Sequence, residues 1–183
     1  MSLPRLQRWK SAARTLKLAA RYGVQGCCAV LLFQAYIGEA SVSIGPSMLP
    51  TFNVAHDLVF SEKLSIRWRP PQLGDVVVCV SPRNPARPIC KRVLGLPGDT
   101  VYVDPTVPGG TRAITIPPGH VWLQGDNYNN STDSRKYGPV PIGLLRGRVL
   151  GVWKDWFHWE WIKTGVVEEK QASQAVDVLV AVD

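Results

Sequence analysis

Acidic residues are missing from the first 38 positions, where Glu39 is the earliest, while six of the 21 basic residues (Arg5, Arg8, Lys10, Arg14, Lys17, Arg21) precede Gly38. Without that segment, 15 basic residues face 14 acidic ones, so six of the seven net positive charges belong to the N-terminus. A near-neutral remainder argues against a nucleic-acid-binding face, which would need clustered Lys and Arg on the domain itself. A basic, acid-free leader instead points to membrane topology or organelle targeting.

Cysteine is scarce as well. Four in 183 residues make no disulfide framework for a chain of this length. Cys27 and Cys28 stand in an apolar run and read as small hydrophobes. Cys79 and Cys90 flank a Pro-rich loop and could face each other across a hairpin, although neighbouring positions on paired strands often miss disulfide geometry. No Cys or His pair has zinc spacing, so no metal site is expected. The three histidines (His56, His120, His158) come without a G-x-S-x-G elbow and read as surface or structural residues.

Beyond Ser41 no stretch keeps a helical period over ten or more residues. Short β-branched runs ("DLVFSEKL", "DVVVCV", "ICKRVLG", "DTVYV", "AITI", "HVWLQGD", "RGRVLGVW") alternate with Gly and Pro punctuation, and there is no internal repeat. This texture predicts a mainly β, antiparallel domain with long connections. With 45% hydrophobic and 19% charged residues, the chain is long enough for one ordinary core plus an appendage.

The appendage is residues 22–38, "YGVQGCCAVLLFQAYIG", free of charge throughout. A helix of that length spans about 25 Å, the short end of what crosses a bilayer. A retained single-span anchor is the preferred reading. A cleaved targeting peptide and a buried or interfacial helix are the alternatives. As an anchor it would keep the basic N-terminus on the positive-inside face and send the domain across. The expected organisation is 1–38 for the basic leader and anchor, 39–165 for the domain, and 166–183 for a loosely ordered tail. Trp153, Trp156, Trp159 and Trp161 crowd the end of the domain. They would close its core or fold onto each other, or else form an aromatic belt against the bilayer.

Three stretches could carry chemistry. In "GPSMLPT", Pro46 and Pro50 stiffen a loop around Ser47, which suits a nucleophile and also a plain turn. In "ICKRVLGLPGD", strand alternation puts Lys91 on one face with Ile89 and Val93, while Arg92 shares the other with Cys90 and Leu94. A lysine bracketed by apolar neighbours is a candidate for desolvation, which favours the neutral amine and so a general base; snorkelling to solvent is the commoner fate. The third stretch, "GDNYNNSTDSRKYGPVP", is a polar loop or a set of hydrogen-bonding residues that orders a site.

In this order and spacing the three stretches closely resemble the serine, lysine and third boxes of the type I signal peptidases, membrane-anchored Ser–Lys proteases, over about Ser43 to Val149. The details are most similar to the mitochondrial branch of that family. The resemblance implies Ser47 as nucleophile, Lys91 as general base, and Ser131 as the serine that orients the lysine. It implies Arg92 with Asp126, and Asp133 with Arg135, as supporting salt bridges, with Ser134 beside them. Many family members carry a serine two positions before the nucleophile; Gly45 stands there, and Pro46 has no N–H. The Ser47 backbone amide is therefore the expected oxyanion donor, with the second left open. No metal or organic cofactor is implied.

The expected function is removal of sorting peptides from precursor proteins delivered to the mitochondrial intermembrane space, from a single-pass anchor in the inner membrane. A paralogous peptidase subunit is the expected partner beside the lipid bilayer and the precursors, with no nucleic acid. Extended substrate would add to strand edges near Ser41 to Ile44 and just before Lys91. The alternatives are a bacterial or plastid signal peptidase and a catalytically silent peptide-binding subunit.

Overall fold

The structure is a computed structural model and describes residues 5–103, 112–154 and 158–162. The chain separates into two compact units, Met1–Ile37 and Gly38–Asp183. The expected tail 166–183 lies outside the described residues.

The first unit is one helix, α1 (Arg5–Tyr36), of 32 residues. The sequence reading placed only residues 22–38 in an apolar span. The helix starts much earlier because the basic stretch is rich in Ala, Leu, Lys and Arg, the strongest helix formers. Within it, Ala12–Tyr36 is long and apolar enough to cross a membrane. Those 25 residues rise about 37 Å, so the span is not the short one inferred from uncharged positions alone.

The second unit is built from β1 (Gly38–Ser43), β2 (Asp57–Glu62), α2 (Ser65–Trp68), β3 (Val76–Val80), β4 (Pro88–Gly95), β5 (Thr100–Tyr102), β6 (Ala113–Thr115), β7 (His120–Gln124), α3 (Ser134–Tyr137), β8 (Val140–Pro141), β9 (Leu145–Lys154) and β10 (His158–Trp161). All pairings are antiparallel, in the order β1-β2-β9-β3-β4-β7-β8, with β10 also on β9 and β5-β6 forming a separate ribbon. Among the described residues of this unit, the α-helices α2 and α3 are single turns, as the absent helical period foretold.

Strand β3 shows why the sheet sits where it does. Its run "VVVCV" has no polar face because both faces are covered. Val77 and Cys79 enter one buried cluster with Val93, Val121, Leu123, Val140 and Leu145. Val76 points the other way, into a cluster with Met48, Phe52, Val59, Val149 and Val152. Each of these side chains contributes roughly 1.5–3 kcal/mol by leaving water. Cys79 belongs to the first cluster and Cys90 packs on the second, so they lie on opposite faces and both are free.

Trp153, Trp159 and Trp161 fold onto each other outside the core. Trp159 meets Trp153 and Trp161 edge-on, with ring centroids 6.0 and 5.2 Å apart. With Ala40, Leu58, Phe60 and Leu150 they line a shallow apolar pocket on the outside of the sheet. Gly151 makes room for this, since a Cβ there would overlap the Trp159 ring. Trp156 lies outside the described residues.

Candidate active site

Strand β1 delivers the chain into the loop that carries Ser47. The turn begins at Gly45, whose φ of 122° is strained for any L side chain, and continues as a 3-10 turn over Pro46–Met48. Met48 and Phe52 are buried to 2% and 0% exposure. They pin the loop into the second cluster on both sides of Pro50. Ser47 itself is half-buried, with its hydroxyl turned toward β4.

On β4 the alternation runs as expected. Val93 is fully buried, Ile89 packs on the same cluster, and Lys91 between them is only 3% exposed. The lysine does not snorkel. Its Nζ lies 2.8 Å from Ser47 Oγ and donates to the Cys90 carbonyl at 2.9 Å. Burial holds the Lys91 pKa below its usual value, although Cys90, Asp133, Cys79 and Asp126 oppose the shift. A neutral amine at hydrogen-bond distance from a hydroxyl can take its proton as the oxygen attacks an electrophile.

The remaining residues of interest form the frame around this pair. Arg92, on the other face of β4, grips Asp126 with two bonds, Nε to Oδ1 at 2.8 Å and Nη2 to Oδ2 at 2.7 Å. Arg92 also donates to the Gly74 carbonyl, and Thr51 donates its hydroxyl to Asp126. Three separate segments therefore meet at one carboxylate: the serine loop, the lysine strand and the loop after β7.

Asp133 is fully buried and caps α3 by accepting from the Arg135 N–H. It accepts from Arg135 Nε and Nη2, both at 2.9 Å, and from the Gly125 N–H at 3.1 Å. Burial alone would raise its pKa; the Arg135 side chain, the Ser131 hydroxyl and the Gly125 N–H outweigh this and lower it. Arg135 in turn stacks over Tyr128 at 4.0 Å, and buried Ser134 accepts from the Leu123 N–H at 2.9 Å. Together they tie the loop 125–134 back to β7.

Ser131 is buried, and its hydroxyl faces the Asp133 carboxylate, whose pKa it helps to lower. It lies beside Gly125, where a Cβ would overlap both Ser131 Oγ and the Ser47 carbonyl. Sequence reasoning missed three residues that hold the serine loop: Thr51, Gly125 and Asn127. All three lie within the stretches singled out, but nothing in residue type alone tells a gripping polar side chain from a solvated one.

The geometry agrees with what comparison with known proteins finds. The profile of the signal peptidase family, peptidase S26, matches residues 16–108 and 104–156. The mitochondrial inner membrane protease subunit 1 of Schizosaccharomyces pombe is 46% identical over 128 residues, covering 69% of this chain and 79% of that protein. The subunit 1 of Mus musculus is 47% identical over 133 residues, covering 72% of this chain and 78% of that protein. A mitochondrial inner membrane protease subunit 2, from Danio rerio, is 33% identical over 138 residues, covering 75% and 74%. Matched over both the serine loop and the lysine strand, and along most of the length of these relatives, the chain belongs to the signal peptidase family, peptidase S26, and is a serine peptidase of its membrane-anchored type.

Proposed function

We propose that this chain removes sorting peptides from proteins delivered to the mitochondrial intermembrane space, using Ser47 as nucleophile and Lys91 as general base. The observation that carries the reading is the 2.8 Å approach of a buried, desolvated Lys91 amine to the Ser47 hydroxyl. The Ser47 oxygen bonds to the scissile carbonyl carbon while its proton passes to Lys91 Nζ. The C–N bond then breaks, and Lys91 returns the proton to the departing amine. Water, deprotonated by Lys91 Nζ, attacks the acyl ester; the C–Oγ bond breaks and Lys91 passes the proton to the departing Ser47 oxygen.

Ser131, buried beside the Ser47 loop, is placed to orient the ammonium formed in each cycle. Arg92, Asp126, Asp133, Ser134 and Arg135 keep the three segments in register and make no bonds to substrate. The substrate adds as an extended strand. Among the described residues, strand β1 is an edge paired with β2, and β4 pairs with β7 from Arg92 onward, leaving Pro88–Lys91 open on that side. Peptide backbone can hydrogen-bond along such edges, delivering its carbonyl to Ser47.

The named relatives belong to the mitochondrial inner membrane and include both a subunit 1 and a subunit 2. We assign this chain to the same membrane, held by α1 with residues 39–165 in the intermembrane space, working beside a paralogous subunit.

The test is cleavage of a presorting precursor by the full-length protein in detergent or liposomes, alone and with its paralogue. Wild type should cut at one bond, and both Ser47→Ala and Lys91→Met should abolish cutting while staying folded. Undiminished cleavage by either variant would remove that residue from the chemistry. A tagged chain found outside mitochondria would refute the assigned location.

A further inference from the structure

Asn127 holds the backbone on both sides of Ser47. Its Nδ2 donates to the Pro46 carbonyl at 3.0 Å, and its N–H donates to the Ser47 carbonyl at 3.1 Å. The two carbonyls flank the Ser47 Cα, so one half-buried residue restrains both peptide planes of the proposed nucleophile.

The plane before Ser47 matters most. In a trans peptide the carbonyl oxygen and the following N–H lie in one plane and point to opposite sides. Anchoring the Pro46 oxygen therefore aims the Ser47 N–H. That N–H makes no hydrogen bond among the described residues. Its neighbours cannot replace it, because Pro46 has no N–H and Gly45 has no side chain. A bond to the carbonyl also polarises the same amide and strengthens its N–H as a donor.

We infer that Asn127 is a positioning residue of the oxyanion hole, acting through the Pro46–Ser47 peptide without touching substrate. This rests on Ser47 being the nucleophile. The Pro46 oxygen accepts a second bond from the Leu49 N–H at 3.2 Å, which fixes the turn internally. Only Asn127 ties that oxygen to the loop after β7, the segment that also carries Asp126. The aim of the donor thus depends on an element outside the serine loop.

The test uses Asn127→Asp, which keeps the shape but turns a donor into an acceptor facing the Pro46 oxygen, and Asn127→Ala, which removes the group. Both keep the backbone bond to the Ser47 carbonyl. In full-length protein we expect kcat to fall by about tenfold or more, short of the roughly 10²–10³ for outright loss of an oxyanion donor. KM should stay within about twofold, because the interaction operates in the transition state. A substrate-like peptide aldehyde adds its carbonyl carbon to Ser47 Oγ, and the resulting hemiacetal oxygen occupies the oxyanion position. Its affinity should fall by the same factor as kcat/KM, while a non-cleavable peptide of the same sequence binds as before. In Asn127→Ala the pH at which activity rises should not move, whereas the carboxylate added by Asn127→Asp should shift it upward, as Asp126 and Asp133 already do for Lys91.

Unchanged kcat in both variants would overturn the inference. So would equal losses of affinity for the aldehyde and the non-cleavable peptide, or a loss of kcat that follows a loss of folded protein. Ser47→Ala is run in parallel. If it still cuts, the assignment of Ser47 has failed; if it is dead while both Asn127 variants match wild type, only the role of Asn127 has.

Discussion

Arg92 and Asp126 form a two-pronged ion pair that joins the strand carrying Lys91 to the loop carrying Ser131, with the Thr51 hydroxyl on the same carboxylate. Both side chains are largely buried, at 16% and 13% exposure. Breaking a buried pair strands a charge, which costs more than the pair itself contributes. Asp126→Ala should therefore destabilise the protein by about 3 kcal/mol in urea unfolding, and Arg92→Met combined with it should recover part of that. Strictly additive losses would show that the two residues act independently.

The depressed pKa of Lys91 fixes the direction of two pH effects. As the proposed general base, Lys91 must be neutral to act, so kcat/KM should rise with pH through a Lys91 pKa lying below the ordinary 10.5. Lys91→Arg should be inactive at every pH, because a guanidinium does not deprotonate. A rate independent of pH over the neutral-to-alkaline range would argue against a lysine base.

Stability follows with a definite sign. Over the window between the folded Lys91 pKa and 10.5 the unfolded chain holds the extra proton, so stability rises with pH there and is flat below it. Lys91→Met removes the cost of burying the ammonium. It should raise Tm by a few degrees near neutral pH, with the gain shrinking as pH approaches 10.5. A variant that melts lower at pH 7 would show that the lysine's bonds outweigh its desolvation.

Gly45 occupies a left-handed φ of 122° with open space around its Cα. Gly45→Ser should therefore cost about 1–3 kcal/mol in backbone strain despite meeting no obstacle. The added hydroxyl should not raise kcat, since relief of that strain would move Ser47. Thermal unfolding and kcat measured together check both halves.

At Gly125 the obstacle is steric. A Cβ would overlap Ser131 Oγ and the Ser47 carbonyl, so Gly125→Ala should lower stability by about 1–3 kcal/mol and cut kcat well beyond that loss of folded protein. Wild-type activity in this variant would mean that the loops separate without consequence for Ser47.

Much of this was legible from residue order. The apolar–polar alternation of "ICKRV" put Lys91 among apolar neighbours before any contact was known, and the Gly and Pro punctuation announced a β domain. The reach of α1 was not legible, because charge was used to bound the span while helix propensity carries it through Lys17 and Arg21 to Arg5. Trp153, Trp156, Trp159 and Trp161 stand close together in sequence, which allows either a core or a membrane-facing role. The stacking of Trp153, Trp159 and Trp161 outside the sheet depends on β10 pairing with β9 and on the missing Cβ at Gly151.

The sequence by itself determined the local terms: which runs are extended, which face of β4 is apolar, where the loop around Ser47 is stiff, and that the excess charge is N-terminal. These are properties of near neighbours and of the strand's period of two. Only the tertiary structure decided that Ser47 and Lys91, 44 residues apart, approach to 2.8 Å. It alone set Cys79 and Cys90 on opposite faces and put Asn127 against the carbonyls of Pro46 and Ser47. Such meetings depend on strand order and register, which arise from burying both faces of β3 at once and are written in no single stretch of chain.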